Sequence, residues 1–275
     1  MDQWRFLSYG EFSAFENMAI DEAIFRENQC KDNPPTLRFY GWRSPSVSVG
    51  YFQDMSKEVD LEACRKNRYD VVRRPTGGKA VFHYNDLTYA IVARSRTPPF
   101  TDDILGTYKV ISHCLARGLE KVNIKAQMAE KKRDIDDNAM EAFCFSVPSR
   151  YELLVDGKKI CGSAQVRSHG SFLQHGSLMI SFDAVKTQAV LLPHLDRDKQ
   201  VSELLRSATS IADCTKVDMD VPTICCVLKE GMETALNIRL IEGQLTAGEE
   251  VLKKRLLKKY QDLRWTMEGG ITTFT

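Results

Sequence analysis

The spacing of apolar residues predicts an amphipathic helix near the start of the sequence. Segment 13–16 (SAFE) has the form of a capping box, in which a serine and a glutamate close off the first turn of a helix. Met18, Ala19, Ala23 and Ile24 then recur at helical spacing. Together they predict a helix of about 13 residues that begins within this segment.

Runs of β-branched and aromatic residues, bounded by turn residues, predict strands along much of the chain. The predicted strands are Thr36–Trp42, Ser46–Phe52, Tyr69–Arg73, Asp86–Arg94, Tyr151–Val155, Lys158–Arg167 and Phe172–Phe182. An Asp-Gly pair, Asp156-Gly157, separates two of them and is a strong signal for a two-residue hairpin turn. Such a turn pairs Lys159 with Leu154.

The other periodic segments predict helices. Thr101–Val122 is typical of a long helix that is N-capped by Thr101 and carries two aspartates in its first turn. From Asp183 onward the pattern is mainly helical, and its clearest helices are Pro222–Leu236 and Ala247–Tyr260. This mixture indicates an α+β fold, in which a mostly antiparallel sheet is flanked by helices.

Length and composition indicate one domain that takes up the whole chain. A length of 275 residues is near the upper limit for a single globular domain, so we expect one domain over 1–275 with helices from about residue 222. The net charge of +1 argues against a nucleic-acid binder that relies on a broad basic surface. No apolar run reaches the roughly 18 residues that span a bilayer, and residues 1–9 do not have the pattern of a secretory signal. We therefore expect a cytoplasmic location.

The cysteines raise the question of a nucleophile rather than of a metal site. The chain has eight cysteines but no C-x-x-C pair, and its five histidines are scattered, so we expect no metal site. In a reducing compartment the cysteines are expected to be free thiols. Cys144 is expected on a loop, because Pro148 excludes this stretch from the interior of a sheet. Loops are common positions for catalytic groups, but a packed thiol is the alternative.

A glycine-rich segment at 73–83 (RRPTGGKAVFH) is the first candidate for binding. Gly77 and Gly78 allow backbone N–H groups to approach a ligand closely. Arg73, Arg74 and Lys79 add positive charge that suits a phosphate or a carboxylate. The alternative is a hairpin whose charged residues face water. The spacing of a Walker loop is absent.

Strand 158–167 is the second candidate, because alternation divides its side chains between two faces. One face is expected to carry Ile160, Gly162, Ala164 and Val166, and the other Lys159, Cys161, Ser163, Gln165 and Arg167. With segment 175–177 (HGS) on the next strand, the small residues leave an apolar slot that fits an acyl chain. A plain edge hairpin with a solvated polar face is the alternative.

Several segments together resemble the biotin/lipoate protein ligase superfamily, and within it the octanoyltransferases whose cysteine precedes the lysine hairpin. The matching segments are 17–23 (NMAIDEA), 42–53, 73–89 (RRPTGGKAVFHYNDLTY), 144–165 (CFSVPSRYELLVDGKKICGSAQ), 173–178 (LQHGSL) and the helix that ends at 258–260 before Trp265. Lys79 departs from the pattern, since arginine is expected there. The H-D-x-G-N sequence typical of ATP-dependent ligases is replaced here by 83–88 (HYNDLT).

The resemblance implies a fold, an activity and a set of site residues. The expected fold is a mostly antiparallel sheet wrapped by helices. The expected catalytic residues are Cys144, as the acyl-thioester nucleophile, and Lys159, as its activator. The expected substrate-binding residues are Arg74, Gly77, Gly78, Lys79, His83, Gly162, Ser163, Ala164, Gln165, His175 and Gly176. Cys161 is the rival nucleophile.

The implied reaction moves an octanoyl group from octanoyl-acyl carrier protein to a lysine of a lipoyl-accepting protein, such as the glycine-cleavage H protein. No cofactor or metal is expected, because a thioester donor already carries the activation energy. Neither a nucleic acid nor a membrane is expected as a partner. The alternatives are an amidotransferase acting between two lipoyl-accepting proteins, an ATP-dependent lipoate ligase and a non-catalytic binder of lipoyl domains.

Overall fold

Strands and helices alternate irregularly along the chain. The computed structural model describes residues 1–129, 152–192, 196–217 and 219–269. The strands are β1 Asp2–Phe12, β2 Thr36–Trp42, β3 Ser46–Val49, β4 Asp70–Arg73, β5 Val81–His83, β6 Asp86–Arg94, β7 Gln127–Met128, β8 Leu153–Val155, β9 Lys158–Ser168, β10 Ser171–Met179 and β11 Ile238–Glu242. The helices are α1 Ala14–Cys30, α2 Met55–Glu58, α3 Leu61–Lys66, α4 Ile104–Glu120, α5 Ala184–Val190, α6 Arg197–Ser207, α7 Ile211–Thr215, α8 Val221–Leu236, α9 Ala247–Gln261 and α10 Leu263–Glu268.

The larger sheet has the order β11-β1-β2-β6-β10-β9-β8-β7. Its pairs from β2 to β7 are antiparallel, whereas β1 runs parallel to both β2 and β11. The prediction of a mostly antiparallel sheet with flanking helices is therefore confirmed. The pattern of the sequence did not predict β1 and β11.

A smaller sheet of β4, β3 and β5 carries the glycine-rich segment. The alternative interpretation of this segment, in which the glycine turn joins two strands of a hairpin, is wrong. β3 lies between β4 and β5, parallel to the first and antiparallel to the second. The glycine turn therefore crosses over the end of β3, and the chain after Val49 leaves the strand to meet it.

Helices cover both faces of the larger sheet. On one face α1 and α9 pack together, and on the other α4 packs against α8. Each pair buries its own hydrophobic cluster against the sheet. The Ser13–Glu16 capping box of α1 is confirmed, but α4 is capped by Asp103 rather than by Thr101. Asp103 is the N-cap residue because its carboxylate accepts a hydrogen bond from the N–H of Gly106, at 2.6 Å. The Thr101 hydroxyl instead donates a hydrogen bond to that same carboxylate.

None of the helices within the described residues combines the length and the apolar character that crossing a membrane requires.

Candidate active site

The position of Lys159 is fixed by the tight hairpin that joins β8 to β9. Asp156 and Gly157 have φ angles of 50° and 76°, so both lie in the left-handed region that a type I′ turn requires. Lys159 pairs with Leu154 across this hairpin, as predicted. The backbone of Lys159 is held from the other side as well, because its carbonyl accepts from the N–H of Thr209 at 3.0 Å.

A β-bulge decides which way the Lys159 side chain points. Leu153 pairs with Cys161 and Leu154 pairs with Lys159, so Ile160 is an extra residue on β9. A Cβ atom added to Gly162 would lie 2.8 Å from Cε of Lys159 and 3.1 Å from its Nζ. The end of the lysine therefore lies on the Gly162 face. The predicted alternation, which put Lys159 with Cys161 and opposite Gly162, is wrong because the extra residue reverses it.

The Lys159 ammonium is fully buried beside a carboxylate. Its Nζ donates to Oε1 of Glu152 at 2.6 Å, and the two side chains are 0% and 5% exposed. Glu152 directly precedes β8 and accepts from the N–H of Ala129 through its own carbonyl. The sequence pattern did not indicate a role for Glu152. Its signal was weak, since a glutamate at the start of a strand usually faces water.

Cys161 is poorly suited to act as a nucleophile. Its side chain is packed in the hydrophobic cluster between the sheet and α4, and burial raises the pKa of its thiol to about 12. At neutral pH it therefore stays a thiol, which reacts poorly. Cys144 lies outside the described residues, so its position on a loop and its role as the nucleophile stay predictions.

A pocket with about 410 Å³ of empty space, open to solvent, lies between the larger and the smaller sheet. We call it the sheet pocket. Of the predicted binding residues, those that line it are Arg74, Gly78, His83, Gly162, Ser163, Ala164, His175 and Gly176. Met18, Tyr40, Trp42 and Val81 add apolar and aromatic walls. Gly77, Lys79 and Gln165 do not line it.

The glycine turn reaches the pocket because two glycines meet. A Cβ atom on Gly50 would lie 1.8 Å from the carbonyl oxygen of Gly78, so the crossing needs a bare backbone there. Gly78 has a φ of 91°, which favours glycine, and its own Cβ position is 3.6 Å from Cβ of Ala164 on β9. Because Gly50 and Gly78 have no side chains, the glycine turn can pack against β9 of the larger sheet.

The two arginines before the turn are buried and bind carbonyl groups. Arg74 donates to the carbonyl oxygens of Gly77 and Lys79, at 3.0 and 2.9 Å, and to Ser48 at 2.8 Å. Arg73 is 1% exposed and donates to several backbone carbonyls. The alternative of charged residues facing water is therefore wrong for both arginines, and their described contacts hold the loop in place.

His83 forms one end of the sheet pocket. Its ring is stacked on that of Trp42, with centroids 3.7 Å apart. Its Nδ1 lies 2.8 Å from a carboxylate oxygen of Asp86, and its Nε2 lies 2.7 Å from Oγ of Ser48. These contacts fix the ring as a wall of the pocket.

His175 joins the glycine turn to α1 and the larger sheet. Its Nε2 lies 2.7 Å from the hydroxyl of Thr76, and its Nδ1 lies 3.1 Å from the carboxylate of Asp21. Asp21 also binds Arg38 at 2.7 Å. Burial lowers the pKa of His175, so the ring is neutral at neutral pH. Since a carboxylate only accepts, Nδ1 carries the hydrogen and Nε2 accepts from Thr76.

The sequence belongs to a known family. The profile described as lipoyl protein ligase A/B catalytic domain matches residues 13–233. A protein of Kyrpidia tusciae named octanoyltransferase LipM is 40% identical over 270 residues, which cover 96% of this chain and 98% of the relative. The Bacillus subtilis protein of the same name is 35% identical over 96% of this chain and 98% of its own length. The chain belongs to the LipM octanoyltransferase family.

Solved structures support the same assignment for the fold. The bipartite lipoate protein ligase of Thermoplasma acidophilum, described together with its E2 lipoyl domain, has a TM-score of 0.84 and 26% identity, with both chains covered completely. A lipoate-protein ligase A bound with ATP has a TM-score of 0.79 and 28% identity, over 97% of this chain and 99% of the other. This LipM-family chain therefore has the catalytic fold of lipoate-protein ligases.

In the part of this LipM-family chain that the structure describes, no group of three or more His, Cys, Asp or Glu side chains is arranged to hold a metal ion.

Proposed function

We propose that this chain is an octanoyltransferase of lipoate biosynthesis. It takes an octanoyl group from octanoyl-acyl carrier protein, holds it as a thioester on Cys144, and passes it to a lysine of a lipoyl-accepting protein such as the glycine-cleavage H protein. The observation that carries the proposal is a buried lysine next to a residue of the sheet pocket: a Cβ atom added to Gly162, which lines that pocket, would lie 3.1 Å from Nζ of Lys159.

The sheet pocket suits a medium-length acyl chain. Met18, Tyr40, Trp42 and Val81 offer apolar surface, and burial of each methylene of the ligand stabilises it by about 0.8 kcal/mol. Gly78, Gly162 and Gly176 line the pocket with bare backbone.

In the first half of the reaction, the thiolate of Cys144 attacks the carbonyl carbon of the donor thioester. The C–S bond to Cys144 forms, the C–S bond to the carrier's pantetheine breaks, and the carrier leaves as a thiolate that takes up a proton. A free cysteine, with a pKa of about 8.5, is only partly ionised at neutral pH. We assign Lys159 the role of stabilising the Cys144 thiolate, since an ammonium about 4 Å away contributes roughly 4 kcal/mol at an effective dielectric constant near 20.

In the second half, the neutral amine of the acceptor lysine attacks the acyl-enzyme. The C–N bond forms, the C–S bond to Cys144 breaks, and the proton that the amine nitrogen gives up is balanced by protonation of the departing Cys144 thiolate. The pocket walls shield the thioester from water while it waits for the acceptor. The acyl groups of both steps are already activated, so the route needs neither ATP nor a metal ion.

An ATP-dependent lipoate ligase is the second candidate, because the similar solved structures carry that description and one of them is bound with ATP. The two functions differ in one requirement. A ligase must form an acyl-adenylate from free acid and ATP, whereas the transferase acts on octanoyl-acyl carrier protein alone.

The deciding experiment is to incubate the protein with octanoyl-acyl carrier protein, without ATP, and to weigh the intact chain by mass spectrometry. We expect one added octanoyl group in the wild type and in Cys161→Ser, no addition in Cys144→Ser, and removal by hydroxylamine. No adduct in any variant would contradict the carrier-dependent route. Octanoate with ATP, and an octanoylated lipoyl domain as donor, then test the ligase and the amidotransferase.

The same experiment separates a binder from an enzyme. A protein that binds the carrier or the lipoyl domain, but forms no adduct and transfers no octanoyl group from any donor, is a non-catalytic binder of lipoyl domains. The cytoplasmic location follows from the proposed partners and is checked by fractionating the cells that produce the protein.

A further inference from the structure

A buried ion pair lies next to Gly162, a residue that lines the sheet pocket. Nζ of Lys159 and Oε1 of Glu152 are 2.6 Å apart, and both side chains are almost completely excluded from solvent. Ion pairs on the surface of this protein differ in that respect. In the pair of Lys253 with Glu250, at 3.0 Å, the side chains are 26% and 42% exposed.

Burial on this scale is incompatible with a lone ammonium group. Removing an ammonium from water penalises its charged form, so a buried lysine without a counter-charge releases its proton near neutral pH. A carboxylate in direct contact has the opposite effect, because it stabilises the charged form and accepts a charge-assisted hydrogen bond. Glu152 supplies that contact for Lys159.

The pair is also fixed in space. Glu152 is anchored through its carbonyl to the N–H of Ala129, at 2.9 Å, and Lys159 through its carbonyl to the N–H of Thr209, at 3.0 Å. The bare backbone of Gly162 closes the third side, since a Cβ there would touch Cε of the lysine. These contacts therefore fix the orientation of the Lys159 amine and leave the side chain few alternative rotamers.

We propose that Glu152 is a positioning residue for the transfer reaction, which keeps Lys159 protonated and holds its Nζ beside Gly162. Lys159 then acts as a fixed cation and not as a base in the resting enzyme. This inference rests on the proposed function, because it explains how a lysine that is completely buried can stabilise a thiolate.

Among the described residues, the other charged and titratable groups around the pair come from several elements. Cys161 lies on the same strand and interacts electrostatically with Lys159, Glu152 and Asp86 of β6. Across the sheet pocket lie Arg74 after β4, His83 on β5 and His175 on β10. Among these neighbours, Glu152 is the carboxylate bonded to Nζ, so its removal is expected to have the largest effect on the charge of Lys159.

The first test follows the lysine itself. The protein is labelled with ¹³C at Cε of lysine, the Lys159 signal is assigned with Lys159→Arg, and its titration is followed by NMR from about pH 6 to pH 10.5. In Glu152→Gln we expect the pKa of Lys159 to fall by at least about one unit, a tenfold loss of proton affinity. Glu152→Asp keeps the negative charge and is expected to retain most of the wild-type value. The matched control is Glu250→Gln, which removes the carboxylate of a partly exposed ion pair and is expected to leave the titration of Lys159 unchanged.

The second test follows the reaction. Acyl-enzyme formation is measured in a single turnover as a function of pH, after circular dichroism has confirmed that each variant is folded. In Glu152→Gln we expect the alkaline limb of the profile to move to lower pH together with the NMR titration, and Glu152→Asp to restore its position. A purely structural role would lower the rate without moving this limb.

The outcomes distinguish the two proposals. If Lys159 titrates alike in the wild type and in Glu152→Gln, the positioning role is overturned, whatever the activity. If the titration shifts as expected but no acyl-enzyme forms from any donor, the ion pair is supported and the acyl-transfer function fails.

Discussion

At the scale of single residues, Gly162 shapes the site through the atoms it lacks. The Lys159 side chain occupies the space that a Cβ at position 162 would need, 2.8 Å from Cε. Real Cβ atoms do not approach other carbons so closely, and the lysine is also held by Glu152. A side chain at this position therefore acts directly on the placement of the amine.

Gly162→Ala is predicted to impair acyl transfer more than it impairs folding. A displacement of the Lys159 amine by about 1 Å is expected to slow acyl-enzyme formation roughly 100-fold, because catalytic groups tolerate little misplacement. Single-turnover mass spectrometry measures the rate, and thermal unfolding measures the stability of the same variant. An unchanged rate would mean that the lysine can move aside without loss of function.

His175 is predicted to make stability depend on pH on the acid side of neutrality. Burial lowers the pKa of its folded form below the unfolded value of about 6.5, so the unfolded chain binds the additional proton. The stabilisation is complete above about pH 6.5 and is lost, at about 1.4 kcal/mol per pH unit, as the pH falls towards the folded pKa.

Urea unfolding of the wild type and of His175→Gln over this range checks the pH dependence. The stability difference between the two proteins is expected to shrink as the pH falls. The exposed His113 provides the control, since His113→Gln should leave the wild-type slope in place. If the free energy of unfolding of His175→Gln still falls with pH at the wild-type slope, the titrating group is a residue other than His175.

Some features of these residues could be predicted from the sequence and others could not, for physical reasons. The pairing of Lys159 with Leu154 was predictable, because an Asp-Gly turn fixes the register within a few residues. The direction of the lysine was not, since one additional residue at Ile160 reverses every later side chain. Likewise, nothing in the local sequence reveals that the charge of Arg74 is buried against backbone carbonyls.

At the scale of elements, the crossing of β3 by the glycine turn builds one wall of the sheet pocket. The carbonyl of Gly78 fills the space where Gly50 would otherwise carry a side chain. Neither Gly50 nor Gly78 indicates this close contact in the sequence by itself, because the two residues lie in separate segments of the chain. The strands of local hairpins were predictable, whereas the insertion of β3 between β4 and β5 depends on contacts between distant segments.

Gly50→Ala is predicted to destabilise the fold, whereas Gly77→Ala is not. The new methyl group at position 50 would overlap the Gly78 carbonyl, and overpacking of this kind costs about 1–3 kcal/mol. Among the described residues, the Cβ added at Gly77 meets the ring of Phe52, at 3.9 Å, and φ is not in the left-handed region. Urea midpoints of both variants decide the matter, and equal midpoints would refute the close crossing.

At the scale of the whole molecule, Arg73 ties the smaller sheet to the segment that follows α9. Its guanidinium donates to the carbonyls of Gly50, Tyr51 and Gln53 on one side and of Thr266 and Met267 on the other. The ring nitrogen of Trp265 donates back to the Arg73 carbonyl, at 3.3 Å. The sequence predicted neither contact, because the partners lie nearly 200 positions apart.

Arg73→Lys is predicted to lower the free energy of unfolding by about 2 kcal/mol. An ammonium cannot reach the two groups of carbonyls at once, and buried carbonyls that lose a partner destabilise the folded state. Urea unfolding measures the loss, and limited proteolysis should show earlier cleavage after α9. Arg65→Lys, at an exposed position on α3, is the control that should change neither result.

The parallel pairing of β1 with β11 also has a consequence for biosynthesis. Residues Asp2–Phe6 pair with Ile238–Glu242, and Arg5 binds Glu249 at 2.7 Å. A ribosome adds about 5–20 residues per second, so the first strand waits on the order of 10 s or longer for its neighbour. During that interval its open backbone groups are available to other nascent chains. Molecular chaperones that act on the emerging polypeptide would therefore protect this strand above all others in the sheet.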